Sequence, residues 1–184
     1  MMPSALVLYA MALPAFSVAG GALGAVSGAA VGAFTSESES NIASSEATMH
    51  RSLSELDLQD VLRSKVEAAI QSLTSHRLLT SEISTSLDRT ATQNIATLKV
   101  MVKKIGLIGP SSAVNPPLIL TVEANSQFSE YQHEEVLDER DYVYRSVPHR
   151  FSAWAQNDAA MFEEEIGRAC EKIARTIVVD ILTP

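Results

Sequence analysis

Hydrophobic positions change their spacing along the chain, and each change marks a different element. From Ala5 to Phe34 they are nearly continuous, broken only by Pro14, glycines and single serines. Residues 35–48 (TSESESNIASSEAT) are then serine- and glutamate-rich, which predicts a solvated collar or a frayed helix. Beyond them Leu58, Leu62, Val66, Ala69, Ile70 and Leu73 recur at helical spacing, and Ser52 followed by Glu55 has the form of a capping box. From Ser75 to Asn94 the pattern dissolves, with Leu78-Leu79 predicting a short edge strand.

The period shortens further on. Leu98, Val100 and Val102 alternate with Lys99, Met101 and Lys103, which predicts a half-buried strand ended by Gly106–Pro110. Leu118, Leu120, Val122, Ala124 and Phe128 form the apolar face of a second strand, with Thr121, Glu123, Asn125 and Gln127 on its wet face. A polar turn at 131–135 leads to a third strand over 136–146. There Tyr142 and Tyr144 share one side and Val143 takes the other, and the short connection predicts an antiparallel hairpin. Phe162, Ile166, Cys170, Ile173, Ile177 and Ile181 then form a helical stripe, with Ser152 as its expected cap and Trp154 over the sheet edge. Glu164–Arg168 and Glu171–Arg175 are spaced for ion pairs on its solvent side. The fold class expected is α+β: a small antiparallel sheet of about three strands with helices packed on one face, preceded by an apolar glycine-zipper helix. The domains expected are an apolar membrane segment over 1–35, a polar linker over 36–51 and an acidic α+β domain over 52–184.

Charge sharpens this division. No Asp, Glu, Lys or Arg precedes Glu37, so the net charge of -8 belongs wholly to the remainder. An acidic surface with only short basic pairs disfavours nucleic acid. Ala15–Phe34 alone matches the roughly 20 apolar residues that a membrane crossing needs. Residues 4–13 are too few to span and are expected to extend that helix past Pro14 or to lie in the interface. Gly20, Gly24, Gly28 and Gly32 recur every four residues, which puts them on one helical face where a second backbone approaches closely. Self-association in a membrane follows as the expectation. The competing readings are a cleaved leader, which would lack a basic start, a glycine-rich arm, and a hairpin within a soluble fold. The acidic residues after the segment favour the carboxyl-terminal domain lying outside the cytoplasm, in the periplasm of a bacterial envelope.

Candidate chemistry is sparse. Cys170 is the only cysteine and reads as a small core residue, so no lipid attachment follows the apolar run and the zipper is the expected anchor. His50, His76, His133 and His149 share no ligand spacing, and Gly106–Ser112 lacks the ending of a phosphate loop. No catalytic, cofactor-binding or metal-ligating set is predicted. Asp158, Glu163, Glu164 and Glu165 read as a solvated face near the start of a helix. Tyr131, Tyr142 and Tyr144 are the expected partner surface for another envelope protein. A membrane-tethered hydrolase using His149 or His133, and a pore subunit built from zipper helices, are the alternatives to a non-enzymatic interaction protein.

One resemblance covers most of the chain. The order of zipper, helix and domain, with Asn115-Pro116-Pro117-Leu118, Tyr144-Arg145 and Phe151-Ser152-Ala153-Trp154-Ala155, resembles a group of bacterial envelope proteins. More remotely, the sheet-plus-helix part is similar to small periplasmic assembly domains such as the front domain of the Tol propeller protein. Members of the group often carry a basic signal segment and a cysteine ahead of the zipper, from which this chain departs. The resemblance implies an envelope location and no reaction.

Overall fold

The computed structural model describes residues 5–10, 39–75, 77–79, 95–109, 115–130 and 135–182. In chain order the elements are β1 (Ala5–Ala10), α1 (Glu39–Glu55), α2 (Leu58–Leu73), β2 (Arg77–Leu79), β3 (Ile95–Ile108), β4 (Pro117–Glu130), β5 (Val136–Arg145), β6 (His149–Arg150) and α3 (Phe151–Leu182). The sheet order is β2-β1-β3-β4-β5, and β6 pairs with the start of β4. The expected α+β class and the antiparallel β3-β4-β5 unit are both present, and Leu78-Leu79 lie in the expected edge strand.

Alternation explains the two faces. Leu98, Val100, Val102, Leu120, Val122 and Ala124 are buried and form one core with the stripes of α2 and α3. On the other face Lys99 and Gln127 pair across strands, as do Met101 and Asn125. A register shift between Val102 and Lys104 inserts an extra residue into β3. Both Lys103 and Lys104 are therefore exposed, while Ile105 and Leu107 return to the core face. The alternation continues in space where it breaks in sequence, and β3 runs on to Ile108 instead of ending at Gly106.

Two expectations are corrected. Residues 4–13 include Ala5–Ala10, which form neither a helix nor an interfacial segment: they are a strand, parallel to both β2 and β3. A parallel strand inside a sheet reads as a continuous apolar run, so it merges with the apolar residues that follow it. The second concerns Ser52: the helical alternative expected for residues 35–48 is met from Glu39, where α1 begins, Met49 is buried in the core, and Ser52 donates to Glu163 Oε1 at 2.7 Å. Ser52 thus lies inside α1 and caps nothing. The cap of α2 is Asp57, whose side chain accepts from the Asp60 N–H.

The last helix is interrupted. Gln156 is extended, and Asn157, Asp158 and Ala159 all have left-handed φ angles of 53°, 54° and 64°. Such backbone costs a non-glycine residue about 1–2 kcal/mol, least for Asn and Asp. The break lets the turn at 151–155 aim Trp154 inward while the long helix after it lays its own stripe on the sheet. Phe162 then meets Trp154 edge-on at 6.2 Å.

Candidate functional site

The strands differ in length, so backbone groups are left over at their ends, and side chains close them. β1 stops opposite Val100. Beyond it the buried side chain of Gln59, from α2, donates to Val100 O at 2.8 Å and accepts from Val102 N–H at 3.0 Å. An amide side chain here takes the place of the next strand residue. At the other edge, β4 begins before β5 ends. Ser146 N–H donates to Leu120 O, and Leu120 N–H donates to Ser146 Oγ, both at 2.9 Å. Trp154 Nε1 donates to Leu118 O at 3.2 Å, and Phe151 N–H donates to Pro116 O at 3.0 Å.

This corner unites the phrases singled out in the sequence. Asn115, with a left-handed φ of 51°, accepts from Ser152 N–H at Oδ1 and donates from Nδ2 to Ser152 Oγ, each at 2.9 Å. Ser152 is therefore engaged by Asn115, and His149 stands edge-on to Trp154 at 5.1 Å. Gly109 belongs to the same corner: a Cβ there would fall 2.5 Å from Leu118 Cδ2 and 2.6 Å from Pro117 O. Gly109→Ala is expected to destabilise the chain by about 1–3 kcal/mol, because backbone as well as a side chain must shift. An unchanged thermal midpoint would show that the corner yields freely.

Of the expected partner residues, Tyr142 and Tyr144 are described. Tyr131 and the zipper glycines Gly20, Gly24, Gly28 and Gly32 are outside the described residues. Tyr142 and Tyr144 do share a side, but it is the side that packs against α3, while Val143 is 56% exposed on the opposite face. Tyr142 is buried, and neither its hydroxyl nor that of Ser126, on the same face, has a hydrogen-bond partner among the described residues. Alternation showed that the tyrosines go together; only the helix position shows that their face is covered.

Tyr144 donates to Glu165 Oε1 at 2.5 Å, and Arg168 Nη1 donates to Glu165 Oε2 at 2.6 Å. Glu165 is 5% exposed, so the expectation of a solvated face at 163–165 is corrected for this residue. Two donors converge on its buried carboxyl group, which is what burial of such a group requires. Burial, and then the neighbouring carboxylate, push the Tyr144 pKa from 10.0 up to about 12. The folded chain keeps a proton that an unfolded chain releases near pH 10. The stability linked to this proton is complete below pH 10 and is lost as pH rises towards 12. Alkaline unfolding followed by phenolate absorbance is expected to show this loss, and Tyr144→Phe to diminish it.

Other candidates carry structure, not reaction. Cys170 is fully buried, and burial pushes its thiol up to about 11, in keeping with a core role. His50 is exposed, His76 and His133 lie outside the described residues, and no metal-ligating group of three or more side chains occurs among the described residues. On the open face Lys103 Nζ donates to Asp141 Oδ1 at 2.8 Å, and the buried Asn125 donates to the same carboxylate at 2.9 Å. These two donors, Lys103 first, hold Asp141 below the usual carboxylate range.

No protein-family model matches the chain, and no curated protein sequence matches it. Its fold is similar to that of a Xanthomonas campestris protein of the DUF330 family, at 13% identity and a TM-score of 0.46. That match covers 65% of this chain and 58% of the other, less than two thirds of its length. It is also similar to a minor lipoprotein from Acinetobacter baumannii, at 12% identity and a TM-score of 0.44, over 66% of this chain and 81% of that one.

The local sequence pattern gives no sign of the contacts of Gln59 or Glu165. A polar residue beside an apolar stripe is normally a solvated flank. Nothing local shows that Gln59 meets strand backbone or that Glu165 meets a tyrosine. Asn115 and Trp154 left a better signal, as members of two distinctive phrases that the fold joins.

Proposed function

We propose that this is a non-enzymatic protein of the bacterial envelope. On this reading it holds a membrane through its apolar segment, self-associates through Gly20, Gly24, Gly28 and Gly32, and presents its α+β domain to a protein partner. The observation that carries the reading is the absence of any charged side chain before Glu37, together with the unbroken four-residue glycine register. Hydrocarbon forces backbone groups to pair internally, and closely spaced glycines let one helix backbone approach another. No described helix is long and apolar enough to cross a membrane.

The fold constrains how such a segment would lie. β1 precedes it and α1 follows it, and both belong to the same sheet-and-helix unit. A segment entering from β1 must therefore return to the same side before α1. An entry and return is thus proposed, in place of a single crossing over Ala15–Phe34. Residues 11–38 are too few for two full crossings at about 20 residues each. Carbonate washing of membranes that hold the full chain tests the attachment. The chain is expected to stay with the membrane, and Gly24→Leu with Gly28→Leu to lower the yield of crosslinked oligomers without releasing it. Recovery of the unmodified chain in the wash would remove the membrane reading.

A further inference from the structure

Side chains close the short ends of the β3 and β4 ladders, but β5 is the terminal strand of the sheet, and no described strand pairs with its outer side. Backbone direction alternates along a strand. Because Ser146 N–H points at Leu120 O, the N–H and C=O groups of Tyr144, Tyr142 and Arg140 also point at β4. Those of Arg145, Val143, Asp141 and Glu139 point outward. Beside this unpaired row, Leu137 and Val143 are each 56% exposed and Val147 is 63% exposed.

We propose that this edge is an interaction surface for a second copy of the chain, paired antiparallel about Tyr142. The choice of occupant rests on charge complementarity. Continuity of the two faces requires core-side residues to meet core-side residues, which limits the registers. Centring the pair on Arg140 sets Glu139 against Asp141 on both sides of the axis. Centring it on Asp141 sets that carboxylate against itself. Centred on Tyr142, Glu139 faces Arg145 of the second copy and Arg145 faces its Glu139. The outward backbone groups then meet outward groups throughout residues 139–145. A register about Val143 also sets opposite charges together, but it pairs only 141–145. Charges usually blunt a sheet edge; on β5 they oppose the neighbouring registers and favour this one. The inference stands apart from the membrane reading, although a shared membrane would raise the local concentration of the edges.

The test is a register-specific disulfide in the full chain. Protein carrying Glu139→Cys is mixed with protein carrying Arg145→Cys and oxidised. Opposed residues in a hydrogen-bonded pair stand about 5.5 Å apart at Cα, within the ~4.4–6.8 Å that a disulfide needs. Two copies of residue 139 would lie about 20 Å apart at strand spacing. A mixed dimer is expected from the mixture and none from either protein alone; Cys170 stays out because it is buried. Adding Val143→Pro removes an outward N–H and no bond to β4, so the mixed product is expected to disappear with unchanged circular dichroism. No mixed product, equal yields from the separate proteins, or indifference to the proline would overturn the proposal. Failure of the zipper would lower the total yield of every product alike, so only the register preference bears on β5.

Discussion

Replacing Gln59 by leucine is expected to destabilise the chain by about 2–4 kcal/mol, measured as a shift in urea midpoint at unchanged slope. The substitution is close in volume and gains apolar surface in a buried position, so hydrophobicity alone predicts a neutral or stabilising change. Hydrogen bonding predicts the opposite. Val100 O and Val102 N–H would lose their partner at a place where β1 has ended and water does not reach. Each unsatisfied buried group costs about 1–3 kcal/mol, which exceeds the small gain from burial. Hydrogen exchange adds a local readout: the Val102 amide should lose protection far more than core amides of β4. A leucine variant as stable as the parent would mean that the ladder end is closed by something other than Gln59.

Trp154→Ala is expected to cost about 3–5 kcal/mol, the usual range for removing a large aromatic side chain from a core. Trp154 is fully buried between the β4 edge and α3, and His149 and Phe162 lie edge-on to its ring. Two losses combine in the substitution: a cavity forms, and Leu118 O loses the Nε1 donor. Trp154→Phe separates them, since it keeps most of the ring volume and removes only the donor; about 1–3 kcal/mol is expected. A phenylalanine variant as unstable as the alanine variant would show that the hydrogen bond dominates. Small domains are stable by only about 5–15 kcal/mol, so the alanine variant should expose the chain to proteolysis at the corner.

What could be read in the sequence depended on period. The stripes of α2 and α3 and the alternation of β4 have spacings that water enforces, and Leu62, Val66, Ile166 and Ile173 are buried as those spacings require. Leu73, at the end of the α2 stripe, is 43% exposed. β1 gives no separate signal because its apolar run continues into the apolar residues that follow it. The bulge in β3 shifted the parity of its pattern, so the strand seemed to stop early. Gln59 and Glu165 were illegible for another reason: their partners are a strand backbone and a tyrosine far away in sequence. The tyrosines show the limit of alternation, which groups residues on a side without saying which side is covered.

The account turns on an apolar segment whose two neighbours, β1 and α1, remain in one folded unit. The most direct test is labelling with a membrane-impermeant maleimide in sealed vesicles holding the full chain. A cysteine replaces Ser4, ahead of β1, or Ser40, at the start of α1, and the buried Cys170 serves as the unlabelled background in the parent chain. The account predicts that both sites are labelled from the same side and that neither needs the vesicle to be opened if the other does not. Labelling of one site from outside, with the second reached only after lysis, would mean that the segment crosses once and that β1 cannot belong to this sheet.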